Sequence, residues 1–440
     1  MRRWAMFLAV LALVLSALAA GGKFQGSATA SGQKATTITV WLPFGGRELG
    51  VMKKAIAEWD RKNANVDVKV AGNISTTKIV ASIRAANSPD IAMDFESANI
   101  GTYCSSGAWS DLASYISKDK VDINVFPSAA RYYTQYKGKR CAMPLLADVA
   151  GLYYNKKMFR AAGLTGPPKT IAQLTAYAKK LTKRDKNGNL KVVGFDPFIG
   201  WYTNSNDRFI GMFGGKWVDS SGKSILSKDP AWAKLLRWQK SLVDWYGHDK
   251  LVKFHAAEGD EYSASNGFET GKLAMNLDGE WRVAFIAAEK PGLDYGTAPL
   301  PVDGAHPELY GSSALNGSIA GIPKNAKHKD QAWALLKYLT TQDHPLAQLS
   351  NGLRNVPTTK SSLKSPEIKP DKHFSVFLKI YAHPKSSTVP ITAAGVAYQD
   401  LFTAFVTKWQ AGHAKDLIGG LKKVDKQIDA QLKQAGGGVP

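Results

Sequence analysis

Cysteine is scarce in this sequence, since its 440 residues include only Cys104 and Cys141. No C-x-x-C pair and no cysteine–histidine spacing typical of zinc sites is present. The patterns H-E-x-x-H, G-x-S-x-G and G-x-G-x-x-G, which mark zinc proteases, serine hydrolases and dinucleotide-binding folds, are missing as well. The sequence therefore predicts no metal site, no cofactor and no catalytic residues.

Three segments come near to a chemical motif without completing it. Gly222-Lys223-Ser224 resembles the end of a phosphate loop, but Trp217 stands where the first glycine is required. The run Asp185–Asn189 lacks the closing glutamate of a calcium loop and is typical of a β-turn. The acidic segment 258–261 could serve glycoside hydrolysis only if two carboxyl groups flanked one bond, so we interpret it as a solvated loop.

Long hydrophobic runs are limited to the start of the chain. Arg2 and Arg3 precede an apolar run from Trp4 to Leu15, and alanines follow up to Ala20. This order is typical of an export signal, which we assign to residues 1–20. Residues 21–36 are rich in Gly, Ser, Ala and Thr and read as a flexible linker.

The predicted location is therefore extracytoplasmic, at the cell surface or in the periplasm. A lipid anchor is doubtful, because Gly21 occupies the position of the cysteine in a lipoprotein signal. An even number of cysteines in an exported protein is expected to be oxidised, so a Cys104–Cys141 disulfide is predicted. Two buried free thiols are the alternative.

Acidic residues are few relative to basic ones, 36 against 57, which gives a formal net charge of +21. Such a charge first suggests nucleic-acid binding. However, the lysines and arginines are scattered and no nucleic-acid-binding motif occurs. We therefore predict a solvated basic surface without a nucleic-acid partner. An adhesin that binds acidic polymers is a competing interpretation.

Strand and helix patterns alternate along the chain. Residues 37–42 and 66–70 alternate as strands do, and residues 89–93 open a third strand. Between the first two, Leu49, Met52, Ile56 and Trp59 recur at helical spacing. Later helix starts are predicted at Thr170 with Gln173, at Asp229-Pro230 and at Asp330. Repeated β-α-β units predict an α/β protein of two lobes, each a mostly parallel sheet flanked by helices.

Several motifs occur in an order that resembles a known family. The order comprises Ser88–Ile91, Tyr136–Lys139, Asp148–Phe159, Ala162–Leu164, Pro167–Thr170, Phe268–Met275, Gly279, Trp281 and Gly321–Lys324. Together, over about residues 37 to 430, these segments resemble the family-one extracellular solute-binding proteins, the carbohydrate receptors of bacterial ABC importers. Each motif alone is weak, and the set does not specify the ligand.

The resemblance implies a type II periplasmic-binding-protein fold with a multi-crossing hinge. The implied crossings lie near 147–151, 297–311 and 339–345. Residues 37–147 and 302–340 would form the N-lobe, 148–301 and 341–433 the C-lobe, and 434–440 a disordered tail. The implied function is capture of a sugar or short oligosaccharide by hinge closure, as a monomer without enzymatic activity, for the permease subunits of an ABC transporter.

The resemblance also implies ligand-binding residues. A sugar ring presents apolar faces to aromatic side chains and hydroxyl groups to carboxylates or amides. The candidates are Asp148, Trp281, Glu96, Asn316, Gly317, Trp201, Tyr202, Trp41, Phe44, Gly279 and Arg354. For each of them a structural role, in the core or in a surface ion pair, is the alternative.

Other solutes and another class of protein also remain possible interpretations. A polyol, glycerol phosphate or amino sugar could replace the neutral sugar, and an acidic ligand would need Arg47, Arg282 or Arg354 in the cleft. A secreted carbohydrate-active enzyme is the alternative from another class.

Overall fold

The computed structural model of the chain describes residues 35–436. The predicted export signal and most of the predicted linker lie outside these residues, whereas Thr36, the last linker position, begins the first strand. The predicted tail comprises residues 434–440. Gln434 is the last residue of a helix, and residues 437–440 lie outside the described residues. Within residues 35–436, no helix combines the length and apolarity needed to cross a membrane.

Strands and helices alternate from β1 to β3, as the sequence pattern predicts, and helices follow one another in several later segments. The strands are β1 (Thr36–Trp41), β2 (Val66–Ala71), β3 (Ile91–Asp94), β4 (Met143–Asn155), β5 (Lys183–Arg184), β6 (Leu190–Val192), β7 (Met275–Gly279), β8 (Tyr295–Ala298), β9 (Ala314–Gly321), β10 (Val356–Pro357) and β11 (Ser387–Thr388). The helices are α1 (Gly46–Lys62), α2 (Thr76–Arg84), α3 (Ile100–Ser105), α4 (Ala113–Lys118), α5 (Ser128–Tyr132), α6 (Lys156–Ala161), α7 (Ile171–Leu181), α8 (Asn206–Gly211), α9 (Pro230–Tyr246), α10 (His248–His255), α11 (Arg282–Glu289), α12 (Lys329–Thr341), α13 (Asp343–Leu353), α14 (Phe374–Tyr381), α15 (Ala397–Gln410) and α16 (Leu417–Gln434).

Local sequence signals explain where several helices begin. Thr170 caps α7 by accepting the amide N–H of Gln173, and Asp229 caps α9 ahead of Pro230. The prediction that Asp330 caps a helix is wrong, because α12 begins at Lys329 and Asp330 lies inside its first turn. There the Asp330 carboxylate accepts the hydroxyl of Tyr115 at 3.0 Å instead of a backbone N–H.

Strand β4 connects the two parts of the sheet. Its first half, up to Val149, pairs with β9, and its second half pairs with β7 and β8. On its other side β9 pairs with β3, β3 pairs with β1, and β1 pairs with β2. The change of partner places Asp148 directly opposite Asn316 and sets Ala150 opposite Gly279.

The α/β fold is confirmed, but the expected parallel pairing holds for only part of the sheet. Strands β1, β2 and β3 are parallel, as β-α-β units require. Strand β4 is antiparallel to β7, β8, β9 and β10. The expectation of a mostly parallel sheet in each lobe is therefore wrong for the second lobe, because β7 and β8 both pair with β4 in the antiparallel direction.

Two separate groups of buried side chains form the interior. The first group is built on β1–β3, α1, α2 and the start of β4, and we call it the N-terminal core. The second group is built on the rest of β4, β7 and the helices α7, α9 and α14–α16, and we call it the C-terminal core. The chain passes between them at Leu146–Ala147 and again within β9, since Leu315 belongs to the C-terminal core and Ile319 to the N-terminal core.

The predicted boundary at 340/341 falls between two helices that share one core. Leu346, Leu349 and Leu353 of α13 are buried in the N-terminal core, although residues 341–433 were expected in the other lobe. Val356, just beyond α13, is buried in the C-terminal core. The chain therefore leaves the N-terminal core after α13 instead of before it.

The predicted Cys104–Cys141 disulfide is confirmed. The two Cα atoms are 5.6 Å apart, and both cysteines lie in the N-terminal core. The bridge links α3 to the segment just before β4 and closes a loop with a sequence separation of 37 residues.

Candidate functional site

The loops that follow three parallel strands supply one wall of a cavity. Phe44 follows β1, Asn73 follows β2 and Phe95 follows β3, so all three lie at the carboxyl edge of the parallel strands. Ligands of open α/β sheets bind at this edge. A Cβ atom on Gly45 would lie 2.2 Å from the Asn73 side chain, so only glycine permits this approach.

The opposite wall comes from β4, α11 and two loops of the second lobe. Asp148 lies in β4, and Trp281, Phe285 and Glu289 recur every four residues along one face of α11. Tyr202 and Tyr262 complete this wall. The enclosed volume is about 460 Å³, which is typical of small-molecule sites.

The cavity is lined mainly by rings and carboxylates. Its aromatic side chains are Phe44, Phe95, Tyr202, Tyr262, Trp281 and Phe285. Its charged side chains are Glu48, Asp148, Glu289 and Arg47. Asn73 and Asn355 add amide groups. Such a lining offers flat apolar faces together with hydrogen-bonding groups.

Trp281 and Tyr202 form the aromatic centre of the cavity. Their ring centroids are 5.6 Å apart with an interplanar angle of 48°. Trp281 is 5% exposed, and its Nε1 has no hydrogen-bond partner within the described part of the chain. A ligand oxygen could accept this N–H, because buried donors normally find a partner.

Asp148 is held by two neutral donors. The Tyr202 hydroxyl donates to Asp148 Oδ2 at 2.9 Å, and Asn355 Nδ2 donates to Asp148 Oδ1 at 2.9 Å. Burial raises the pKa of Asp148 to about 6, while Tyr202, the charge of Arg208 and Asn355 oppose this rise. Burial, with a contribution from the Asp148 charge, raises the pKa of Glu280 well above its ordinary value. Of the Asp148 and Glu280 carboxyl groups, which both accept from Asn355 Nδ2, Asp148 therefore has the lower pKa.

A buried polar layer supports Tyr202 from behind. Asn316 Nδ2 donates to the Tyr202 hydroxyl at 2.7 Å and to both oxygens of Glu96 at 3.1 Å. The Arg208 guanidinium lies over the Tyr202 ring at 5.6 Å. Burial raises the pKa of Glu96 to about 7, opposed by the backbone N–H of Ala98. Glu96 and Asn316 thus act behind the wall and do not line the cavity.

Arg47 and Glu48 occupy the first turn of α1 at the mouth of the cavity. Arg47 Nη1 donates to the Gly352 carbonyl at 2.7 Å, while its Nε and Nη2 are buried without a partner in the described chain. Glu48 lies 3.7 Å from the guanidinium. Burial, reinforced by the Asp148 charge, raises the pKa of Glu48 to about 7, although Arg47 opposes the shift.

The structure brings four of the sequence-predicted residues together in the cavity lining. These are Asp148, Trp281, Tyr202 and Phe44. Gly279 is adjacent, but it makes room for the Trp281 ring, since a Cβ there would lie 2.3 Å from that ring. Gly317 is packed against Tyr133 and the Leu146 carbonyl in β9.

Four further predicted residues lie apart from the cavity lining. Trp41 carries the Lys78 ammonium over its ring at 5.2 Å, and Trp201 is partly buried outside the lining. Arg354 donates to the Lys369 carbonyl at 2.9 Å and lies 3.5 Å from Asp371. Arg282, a candidate for an acidic ligand, is fully buried with Glu269 and Asp278.

Several lining residues were not predicted, although the sequence carried a signal for some of them. Phe285 and Glu289 follow Trp281 at intervals of four, so the helix that presents one presents all three. The acidic segment 258–261 is also not a solvated loop throughout, because Glu258 and Glu261 are buried. Tyr262, next to it, is 47% exposed and forms an accessible rim of the cavity.

Solved structures share this arrangement. CpMnBP1 with mannotriose bound is 27% identical, with a TM-score of 0.80, covering 89% of this chain and all of that one. The two-core α/β architecture of this chain, with a cavity between the cores, is the type II periplasmic-binding fold of solute receptors.

The sequence model of the bacterial extracellular solute-binding protein family matches residues 54–376, and this chain belongs to that family. The maltotriose-binding protein of Pyrococcus abyssi is 25% identical over 82% of this chain and 75% of its own length. The sn-glycerol-3-phosphate-binding periplasmic protein UgpB of Pectobacterium atrosepticum is 34% identical over 40% of this chain and 41% of its own length. These family members are binding proteins.

Proposed function

We propose that this chain binds a sugar or short oligosaccharide in the cavity between its two cores and delivers it to the permease subunits of an ABC importer. The observation that carries the proposal is the presence of Trp281 and Asp148 in the lining of one cavity between the two cores. Relatives named for maltotriose or bound to mannotriose support the ligand class. We further propose that the chain is an exported monomer that performs no chemistry on its ligand.

The lining suits the two kinds of surface that a sugar presents. The apolar C–H face of a pyranose packs on Trp281 and Tyr202, whose rings are already held in place. Hydroxyl groups at the ring edge donate to Asp148 and Glu48 and accept from the free Arg47 N–H groups. Hydrogen bonds to charged groups are the stronger kind, and they select against ligands that lack the hydroxyl.

The charge of the lining favours a neutral ligand. The lining holds one guanidinium, that of Arg47, and three carboxyl groups, those of Asp148, Glu289 and Glu48, the last of which becomes negative as the pH rises through its pKa of about 7. A phosphate would bring further negative charge into this cavity, and juxtaposed like charges cost several kcal/mol. The glycerol-phosphate alternative is therefore not favoured by the cavity.

Ligand binding would favour the closed arrangement because residues of both cores line one cavity. Phe44 and Phe95 are packed against the N-terminal core, whereas Trp281 lies on the side of the C-terminal core. The Tyr202 hydroxyl also lies 3.3 Å from the Phe95 carbonyl across the gap. A ligand that touches both walls binds the closed form better and so increases its population.

Calorimetry against mannotriose, maltotriose, mannitol and glycerol 3-phosphate tests the proposal. We expect a neutral oligosaccharide to bind with a Kd of about 1 μM or lower, equivalent to about −8 kcal/mol. Asp148→Asn should weaken binding at least about tenfold, since it removes a charged acceptor. Asp67→Asn, at a partly exposed position on β2, is the matched control. No heat with any sugar, or equal affinity of both variants, contradicts the proposal.

A further inference from the structure

A second cluster of chemically active side chains lies apart from the sugar cavity. Asp196 follows β6, His255 ends α10, and Glu258 lies in the loop after it. None of the three lines the cavity. One potential ligand atom from each lies within 4.8 Å of the others. The fold thus assembles an imidazole and two carboxylates from three separate segments.

One ring nitrogen faces both carboxylates. His255 Nδ1 lies 2.7 Å from Asp196 Oδ2 and 3.1 Å from Glu258 Oε2. Asp196 is 3% exposed and Glu258 is 1% exposed. Among the ion pairs of residues 35–436, none joins either carboxylate to a lysine or arginine. One imidazole nitrogen thus faces two buried carboxyl groups, and His255 is the only basic side chain paired with either of them in this part of the chain.

Glu258 also retains an unused acceptor. Its Oε1 is buried without a hydrogen-bond partner in the described part of the chain. Asp196 differs, because its Oδ1 accepts the Phe198 N–H at 2.9 Å and only Oδ2 is directed to the histidine. Buried acceptors are nearly always satisfied, so the free Glu258 oxygen indicates a missing partner.

We propose that Asp196, His255 and Glu258 form a binding site for a divalent transition-metal ion of the zinc type. One imidazole nitrogen and two carboxylate oxygens are ligands that zinc accepts, with water at the fourth position. Ligands of a tetrahedral ion with bonds of about 2.1 Å are about 3.4 Å apart. The two carboxylate oxygens lie 2.7 and 3.1 Å from His255 Nδ1, so a small outward movement of each side chain would admit the ion. The histidine is partly exposed, which leaves a path for entry.

The ion would bind the neutral histidine through Nδ1. It replaces the proton between the ring and the carboxylates, so a protonated ring releases that proton on binding. The +2 charge then balances both carboxylates. The imidazole nitrogen favours a transition metal over Ca²⁺ or Mg²⁺, which prefer oxygen ligands alone.

The location gives the site a structural role next to the sugar cavity. The loop that begins at Glu258 continues to Glu261, whose Oε2 accepts the Tyr202 N–H at 2.8 Å. Tyr262, on the cavity rim, is the next residue. An ion bound to Glu258 would fix the start of this loop and limit the movement of the rim.

Titration of the chelator-treated full chain with Zn²⁺ alone, followed by calorimetry, tests the site. We expect one ion per chain with a micromolar or lower Kd, and at least about a tenfold weaker response to Ca²⁺ and Mg²⁺. His255→Gln and Glu258→Gln should each weaken Zn²⁺ binding about 100-fold, because each removes one of three ligands. A Zn²⁺-dependent rise in Tm should disappear with them.

His248→Gln provides the matched control on the same helix. His248 contacts the Phe198 ring as His255 does, but its Nδ1 lies near only one carboxylate, that of exposed Asp249. Circular dichroism establishes whether each variant is folded. If His255→Gln does not fold, Glu258→Gln takes its place in the comparison. The proposal is overturned if Zn²⁺ does not bind at 100-fold molar excess, or if the His255 and His248 variants bind it equally. No sugar is required, so this result is independent of the proposed transport function.

Discussion

Trp281 depends on a neighbour that lacks a side chain. Gly279 ends β7, and a Cβ atom there would lie 2.3 Å from the Trp281 ring. The ring in turn meets Tyr202, whose hydroxyl contacts Asp148. The position of the main stacking surface is thus set by a glycine that the ligand need not touch.

Gly279→Ala is therefore expected to displace the Trp281 ring. Both sugar affinity and stability should fall, with a loss in unfolding free energy of about 1–3 kcal/mol, the usual cost of overpacking. Gly304→Ala is the control, since nothing lies within 4 Å of a Cβ at that position. Calorimetry and urea unfolding measure the two effects. Equal behaviour of the two variants contradicts this account of Gly279.

Trp281→Phe tests the stacking surface itself. The smaller ring should reduce sugar affinity by about 2 kcal/mol, or about thirtyfold, as expected for a buried aromatic contact at the centre of a site. Trp41→Phe should leave affinity unchanged, because Trp41 lies outside the cavity lining. We expect sugar binding to change the tryptophan fluorescence of the wild type, and this change should disappear only in the Trp281 variant. If the Trp281→Phe variant keeps the change, the fluorescence signal comes from another tryptophan.

Sequence reasoning predicted the residues whose position follows from a motif. Asp148 and Trp281 were found because each belongs to a recognisable segment, and both line the cavity. Arg354 was a candidate because it follows the third implied crossing. Its backbone is left-handed at φ 64° and its side chain lies near Asp371, whereas the neighbouring Asn355 contacts Asp148. Backbone direction of this kind depends on tertiary packing, which sequence spacing does not specify.

At the scale of elements, alternation predicted β1 and β2, and helical spacing predicted α1, because each of the three turns one face toward the N-terminal core. The pairing of β4 was not predictable in the same way. Its 13 residues are almost all buried, so no alternation indicates direction or partner. Parallel pairing was extended from the first lobe to the second, where the order of strands along the chain does not support it.

The disulfide between α3 and the start of β4 should contribute to stability without affecting the ligand. For the loop of 37 residues, the chain-entropy relation gives about 4 kcal/mol. The double variant Cys104→Ser/Cys141→Ser should lose about this much unfolding free energy in urea. Its sugar affinity should match the wild type, since neither cysteine lines the cavity. A large change in affinity would show that the bridge positions the cavity wall.

For the whole molecule, buried carboxyl groups predict how stability depends on pH. Burial raises the pKa of Glu48 and Glu96 from 4.5 to about 7 and that of Asp148 from 3.8 to about 6. The folded state therefore holds these protons more tightly than the unfolded chain does. Their contribution is complete below about pH 4 and is lost as the pH rises through 6 and 7.

Urea unfolding should accordingly give a lower free energy at pH 8 than at pH 5.5. Each unit of pKa shift corresponds to about 1.4 kcal/mol at most. Glu96→Gln, which removes one of these groups without lining the cavity, should make the dependence less steep. A free energy of unfolding that increases from pH 5.5 to pH 8 contradicts the assignment.

Strand β4 has a consequence for how the gene can be divided. Because its first half completes one core and its second half the other, neither half of the polypeptide contains a full set of paired strands. A fragment ending at Leu146 would lack β9, which pairs with β3 and with the first half of β4, and a fragment starting there would keep β9 without β3 and without the start of β4. Unpaired edges of this kind promote aggregation. Split reporters or single-lobe fragments of this protein should therefore be insoluble unless the two pieces are co-expressed.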